Sequence, residues 1–245
     1  MSSTNYEYYD NSPIIVSILQ YRYKKIEEFD SAAIRKVGKK FEKSYPKVKE
    51  QFTQQIKINE LETNVSLGER NINGVQFFSE DEKRRFTITD EKFTFEVFEK
   101  YSGWENFVND VFELWESYKD ILNVASLTGI SIRFVNRINL PLDTSELTEY
   151  FTTYINSNTG THAISNFQLK YTARDDKESM HWNIAHSLEK PLGDKLPYLF
   201  DIDVLINATI PNENSELIQK FNLIREKKNF LFNDGITEKT KSLIK

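Results

Sequence analysis

The first clear pattern along the chain is the run Pro13-Ile-Ile-Val-Ser-Ile-Leu-Gln-Tyr-Arg-Tyr23. Ile14, Val16 and Ile18 alternate with Ile15, Ser17 and Leu19, which predicts a strand covered on both faces at its start. From Tyr21 the run turns polar and basic, with Arg22, Lys24 and Lys25. Asp30 is placed to cap a helix carrying Ala33, Ile34, Val37 and Phe41 at helical spacing, and Pro46 breaks or restarts it. The stretch 47–73 is polar and weakly periodic, and reads as a partial helix followed by a long loop. Strand patterns follow at 75–79, 85–89 and 93–100. In the last, Phe93, Phe95 and Val97 face one way and Thr94, Glu96 and Phe98 the other, as in an antiparallel sheet with one buried face. Ser102-Gly-Trp-Glu105 reads as a capping box that opens a helix. The stripe of that helix is Trp104, Phe107, Val108, Val111, Leu114, Trp115, Tyr118, Ile121 and Leu122.

The same order then recurs. Ile130, Ile132 and Phe134 alternate with Ser131, Arg133 and Val135. Asp143-Thr-Ser-Glu146 reads as a second capping box, before a short helix with Leu147, Tyr150, Phe151 and Tyr154. Strands are predicted at 166–174, 180–188 and 198–206, then a helix with Leu217, Phe221, Ile224 and Leu231 on one face, and a final helix at 236–244. The element order β-α-β-β-β-α is written twice, over 13–123 and 129–232. The predicted class is α+β: a large antiparallel sheet or open barrel of about eight strands with helices on one face. Residues 1–12 read as a flexible N-terminal arm and 13–245 as a single domain.

Composition narrows the chemistry. The chain has 245 residues and no cysteine, which removes disulfides, zinc–thiolate sites and thiol nucleophiles. The N-terminus has neither a basic region nor an apolar core, so no signal peptide is expected, and a cytoplasmic location is. A net charge of −5 disfavours generic nucleic-acid binding, and no apolar run is long enough to cross a membrane.

No phosphate loop, dinucleotide fingerprint, nucleophile elbow or zinc-binding helix motif is present, so no catalytic residue, metal or cofactor is assigned. The histidines are scattered: His162 in a loop, His181 and His186 five apart on one strand and hence on opposite faces. Asp201 and Asp203 share a strand face. The sharpest candidate is basic. Arg133 with Arg137, and Lys170 with Arg174, each share a strand face, and aligned neighbouring strands would make an anion-binding patch. The competing expectation is cross-strand pairing with Glu96, Asp201 and Asp203. Tyr6, Tyr8 and Tyr9 put aromatics in the polar arm, a candidate docking segment for a protein partner or a second copy.

Several segments carry a family resemblance: Asn11-Ser-Pro-Ile-Ile-Val, Phe77-Phe-Ser through Phe93–Phe98, the Gly103-Trp-Glu helix start, Ile132-Arg-Phe-Val-Asn-Arg-Ile138 with Pro141, and Arg225-Glu-Lys-Lys-Asn-Phe-Leu-Phe232 before Ile236-Thr-Glu-Lys. Together they resemble a sporadically distributed family of uncharacterised prokaryotic proteins of about this length. The resemblance supplies no catalytic residues, and it implies horizontal transfer, as with mobile-element or phage-defence cargo. The expected function is a non-enzymatic binding or interaction protein, an accessory component of a mobile-element, phage-defence or toxin-related system. The alternative is an enzyme or sensor that holds a phosphorylated or nucleotide ligand on the basic sheet face.

Overall fold

The computed structural model describes residues 9–59, 64–154 and 166–245. In chain order the elements are β1 (Ile14–Arg22), α1 (Ser31–Gly38) running into a 3-10 turn at Lys39–Phe41, β2 (Lys47–Asn59), β3 (Asn64–Phe78), β4 (Arg84–Thr89), β5 (Lys92–Val97) and α2 (Trp104–Tyr118). They continue with β6 (Ser126–Leu127), β7 (Gly129–Pro141), a 3-10 turn at Leu147–Glu149, β8 (Gln168–Asp175), β9 (Met180–Leu188), β10 (Lys195–Ile206), β11 (Ile210–Pro211), α3 (Asn214–Gly235) and α4 (Glu238–Ile244).

Nine strands form one open sheet in the order β2-β3-β4-β5-β1-β7-β10-β9-β8, and β6 and β11 make a separate short ribbon. Every pairing in the large sheet is antiparallel. At its centre β1 lies against β7, with Leu19 opposite Ile132 and Tyr21 opposite Ile130. Outward from that seam, β5, β4 and β3 on one side match β10, β9 and β8 on the other. The strand order is thus symmetric about this seam, with β2 as an extra edge on the first side.

The alternation of each strand decides which face is covered. Leu19, Tyr21, Phe93, Phe95, Ile130, Ile132, Phe134, Phe200 and Ile202 are all buried on the helical side. The stripe of α2 meets them through Trp115, whose ring centroid is 4.8 Å from Tyr21, and through Phe107, 6.0 Å from Phe134. The α3 residue Phe221 closes on Tyr21 at 5.5 Å. Close approach is built in at Gly38, where a Cβ would lie 2.2 Å from the Phe77 ring.

Three local expectations are corrected. Residues 47–59 and 64–73 are not helix and loop but β2 and most of β3. Register shifts between Gln51 and Phe52 and between Gln54 and Ile56 break the period-two pattern, which hides the strand from an alternation test. The helix α2 does begin where expected, but its N-cap is Gly103 at φ 103°, with no side-chain cap bond. The Ser102 backbone carbonyl instead accepts from the Asn106 amide at 3.0 Å. The Asp143–Glu146 box does not form: the 3-10 turn has Glu146 as its N-cap, with no side-chain cap bond, and Thr144 donates its hydroxyl to Pro141 O at 2.7 Å. The Asp30 cap does form, with its carboxylate accepting from the Ala32 and Ala33 N–H groups.

Candidate functional site

The uncovered face of the sheet carries the basic residues singled out above, and register shows how they are arranged. One row runs Arg85, Glu96, Ile18, Arg133, Asp203, Asn183, Thr172 across seven strands. It is a chain of neutralising contacts. Arg85 grips Glu96, with Nη2 donating to Oε1 at 2.7 Å. Arg133 grips Asp201 with Nε at 2.9 Å and Nη2 at 2.6 Å. The Asn183 amide donates to Asp203 Oδ2 at 3.2 Å, and Thr172 Oγ1 donates to Asn183 Oδ1 at 2.7 Å. Burial holds the Asp203 carboxyl above the usual carboxylate range, while Asn183 and Arg133 pull it down. The bond to Asp201 holds the Arg133 guanidinium firmly protonated.

The remaining members of the basic set are dispersed. Arg137 Nε donates to Glu189 at 2.8 Å, and Arg174 lies 3.2 Å from Asp176. Lys170 sits on the edge strand β8, opposite Ala185, with β9 and β10 between it and β7. Three strand spacings of ~4.8 Å put β8 roughly 14 Å from β7. The structure therefore brings Arg133 to Asp201 and Arg137 to Glu189, and brings neither arginine to Lys170 or Arg174. On the sheet face the paired arrangement prevails over a convergent anion patch.

The tyrosines of the arm divide. Tyr6 and Tyr8 lie outside the described residues. Tyr9 is buried within its own chain: its hydroxyl donates to Asn233 Oδ1 at 2.8 Å and its ring meets Phe232 edge-on at 6.1 Å. Just beyond it, the Asn11 N–H donates to Ile244 O at 3.2 Å. Residues 9–11 are a strap bound to the C-terminal helices, so Tyr9 is not a free docking group. Of the histidines, His162 lies outside the described residues, and His181 and His186 do take opposite faces. His186 is fully buried, shares a 2.9 Å hydrogen bond through Nδ1 with the Tyr198 hydroxyl, and stacks on Phe200 at 4.6 Å; burial pushes its pKa down to about 4. No group of three or more His, Asp or Glu among the described residues could hold a metal.

On the covered side, a cavity of 180 Å³ lies where the Tyr9 strap, the start of α2, the β1–β7 seam and the middle of α3 meet. Its apolar walls include Ile14, Trp104 and Phe232, and its polar ones Asn136, Arg225 and Lys228. Asn136 is 2% exposed, and its amide nitrogen donates to Phe200 O at 2.9 Å and more weakly to Phe134 O. Arg225 lies over the Trp104 ring and 3.8 Å from Glu105, a carboxylate mostly in solvent. Lys228 has no ion pair or hydrogen bond among the described residues; its Nζ sits 4.4 Å from the Phe134 ring centroid. Lys228 is partly buried and lines the cavity. Desolvation first, and the nearby Arg225 charge second, push its pKa down to about 7.

No family model matches the chain, and no curated protein matches it. The cavity must be read on its own chemistry. The sequence reading missed Lys228, although a signal existed. Leu217, Phe221 and Ile224 continue at helical spacing to position 228, so this lysine stands in the buried stripe of α3. Asn136 does the same in β7, between Phe134 and Ile138. A polar residue in the apolar stripe of each of two elements, both meeting one cavity, is the pattern that identifies the place.

Proposed function

We propose that the protein is a non-enzymatic interaction module that docks on a partner protein through the arm formed by β2 and β3. One observation carries this reading. β3 pairs with β4 only over Gly74–Phe78, with a last bond from the Asp90 N–H to Asn73 O, so from Ile72 outward, among the described residues, the two strands of the arm pair only with each other. At ~3.4 Å per residue this arm extends roughly 30 Å. An isolated two-stranded hairpin is at best marginally stable in water, and a long one is an economical way to reach a partner. The register sets Ile56 opposite Leu67 and Ile58 opposite Val65, and Phe52 is 41% exposed beneath the Arg70 guanidinium, 3.6 Å away. The register shifts supply the local twist that such an arm needs.

A photocrosslinking residue at position 52, introduced in the cells that make the protein, tests this reading. A discrete adduct is expected, and it should disappear when residues 54–70 are replaced by an Asn-Gly turn, which keeps Thr53 opposite Asn71, while the fold is retained. No discrete adduct, or an adduct indifferent to shortening the arm, overturns the proposal. The family resemblance adds that the partner belongs to a horizontally carried defence or toxin-related system, which the genes beside its own would test. The alternative, an anionic ligand on the sheet face, draws little support from Arg133 and Arg137, whose charges already meet carboxylates.

A further inference from the structure

The covered side of the sheet carries a second reading, independent of the arm. A lysine ammonium among protein atoms is costly unless an opposite charge or several acceptors meet it. Lys228 has neither among the described residues: its neighbours are the Phe134 ring, a second cation in Arg225, and the cavity. Among the described residues, the remaining ionisable groups that line it are the Tyr9 and Tyr101 phenols, and Glu105, 3.8 Å from Arg225, is mostly in solvent. Of the two cations that line the cavity, Arg225 meets Glu105, and Lys228 meets no carboxylate among the described residues. Asn136 adds a fixed amide; its nitrogen is consumed by backbone carbonyls, and its oxygen has no partner among the described residues.

We propose that this cavity binds a compact organic anion, with one carboxylate or phosphate head held by Lys228 and Arg225 and a short apolar body against Ile14, Trp104 and Phe232. Size decides against larger ligands. The 180 Å³ cavity falls below the roughly 300–1,000 Å³ typical of clefts that enclose drug-sized molecules, so what it encloses is a small head and a short body. The apolar walls decide against a bare inorganic ion. The amide oxygen of Asn136 would accept from a hydroxyl or a protonated head. The segments that carry the family resemblance also converge here, since Pro13, Ile14, Gly103, Trp104, Asn136, Arg225 and Lys228 belong to them.

The test uses the full chain and its Lys228→Met variant, titrated with butyrate, butyl phosphate, inorganic phosphate and butylamine, and followed by thermal shift. At least one of butyrate and butyl phosphate should raise the melting temperature of the parent saturably and bind more tightly than inorganic phosphate, with no effect from butylamine. In Lys228→Met that affinity should fall at least tenfold. Equal stabilisation of both proteins, inorganic phosphate binding as tightly as the organic anions, or no saturable effect on the parent at millimolar ligand overturns the proposal. Should the variant fail to fold, NMR of the parent with labelled lysine decides. The Lys228 signal should move on titration while that of Lys227, outside the cavity, stays; an unmoved Lys228 signal is the contrary result.

Discussion

Arg133 and Lys228 are cations set against the same central strand, on opposite faces of the sheet. Arg133 projects from β7 on the uncovered side, is half exposed, and is held by Asp201 through a bidentate grip. Lys228 reaches β7 from α3 on the covered side, lies over the ring of Phe134, the residue next to Arg133, and has no carboxylate partner among the described residues. Positive charge alone does not mark a site. A compensated charge on a solvated face is part of the sheet, whereas an uncompensated one beside a cavity is a demand that the fold itself does not meet.

The largest effect that can test this contrast is on the covered face. Phe134→Ala should cost about 3–5 kcal/mol in a denaturant titration, because it opens a void under α2 and α3 and removes the ring beneath Lys228. A loss below about 1 kcal/mol would show that the covered face is no better packed than the open one. The next effect is acid sensitivity. His186 is fully buried with its pKa lowered from 6.5 to about 4, so the unfolded chain takes up its proton first. Its contribution is complete above pH 6.5 and is lost as pH falls toward 4, up to about 3 kcal/mol, and a His186→Phe variant should lack that component in a pH–stability profile.

Lys228→Met should stabilise the free protein. The folded pKa near 7 lies below the unfolded 10.5, so between those values the unfolded state binds more protons and stability rises with pH. The gain from the substitution should therefore be full below pH 7, on the order of 2 kcal/mol after allowing for the cavity's own hydration, and should vanish by about pH 10.5. The smallest effect belongs to the open face. A double-mutant cycle on Arg133→Ala and Asp201→Ala should return a coupling of about 0.2–1 kcal/mol, as for other exposed pairs. A much larger value would place Arg133 in the same energetic class as Lys228 and erase the distinction.

Much of this architecture was legible in the chain because strong periodicity survives where one face is buried. β9 occupies 180–188 as expected from its sequence, and Leu217, Phe221 and Ile224 form the buried face of α3. The edge hairpin was not legible: its strands are polar, and two register shifts scramble the alternation. The boxes at Ser102 and Asp143 carry the right letters, yet Gly103 takes a positive φ that draws the first cap one residue inward, and after Asp143 the chain turns helical only at Leu147. The basic set was visible residue by residue, but its pairing depended on strand order, which composition does not encode. β10 inserts Asp201 and Asp203 beside Arg133 and, with β9, separates it from Lys170. Of the cavity's polar groups, Asn136 stood out in the Phe-Val-Asn-Arg-Ile strand and does bond across the sheet to Phe200 O, Lys228 was visible only as an interruption of a helix stripe, and only the packing of α3 on β7 brings the two together.

The account rests most directly on the titration of Lys228. Carbon-labelled lysine NMR on the ligand-free full chain would follow its side-chain signal as pH is raised. The account predicts a midpoint near 7, moving upward when a carboxylate or phosphate compound fills the cavity. A midpoint near the ordinary 10.5, unchanged by such compounds, would mean that the charge is already solvated or paired, and would contradict the account.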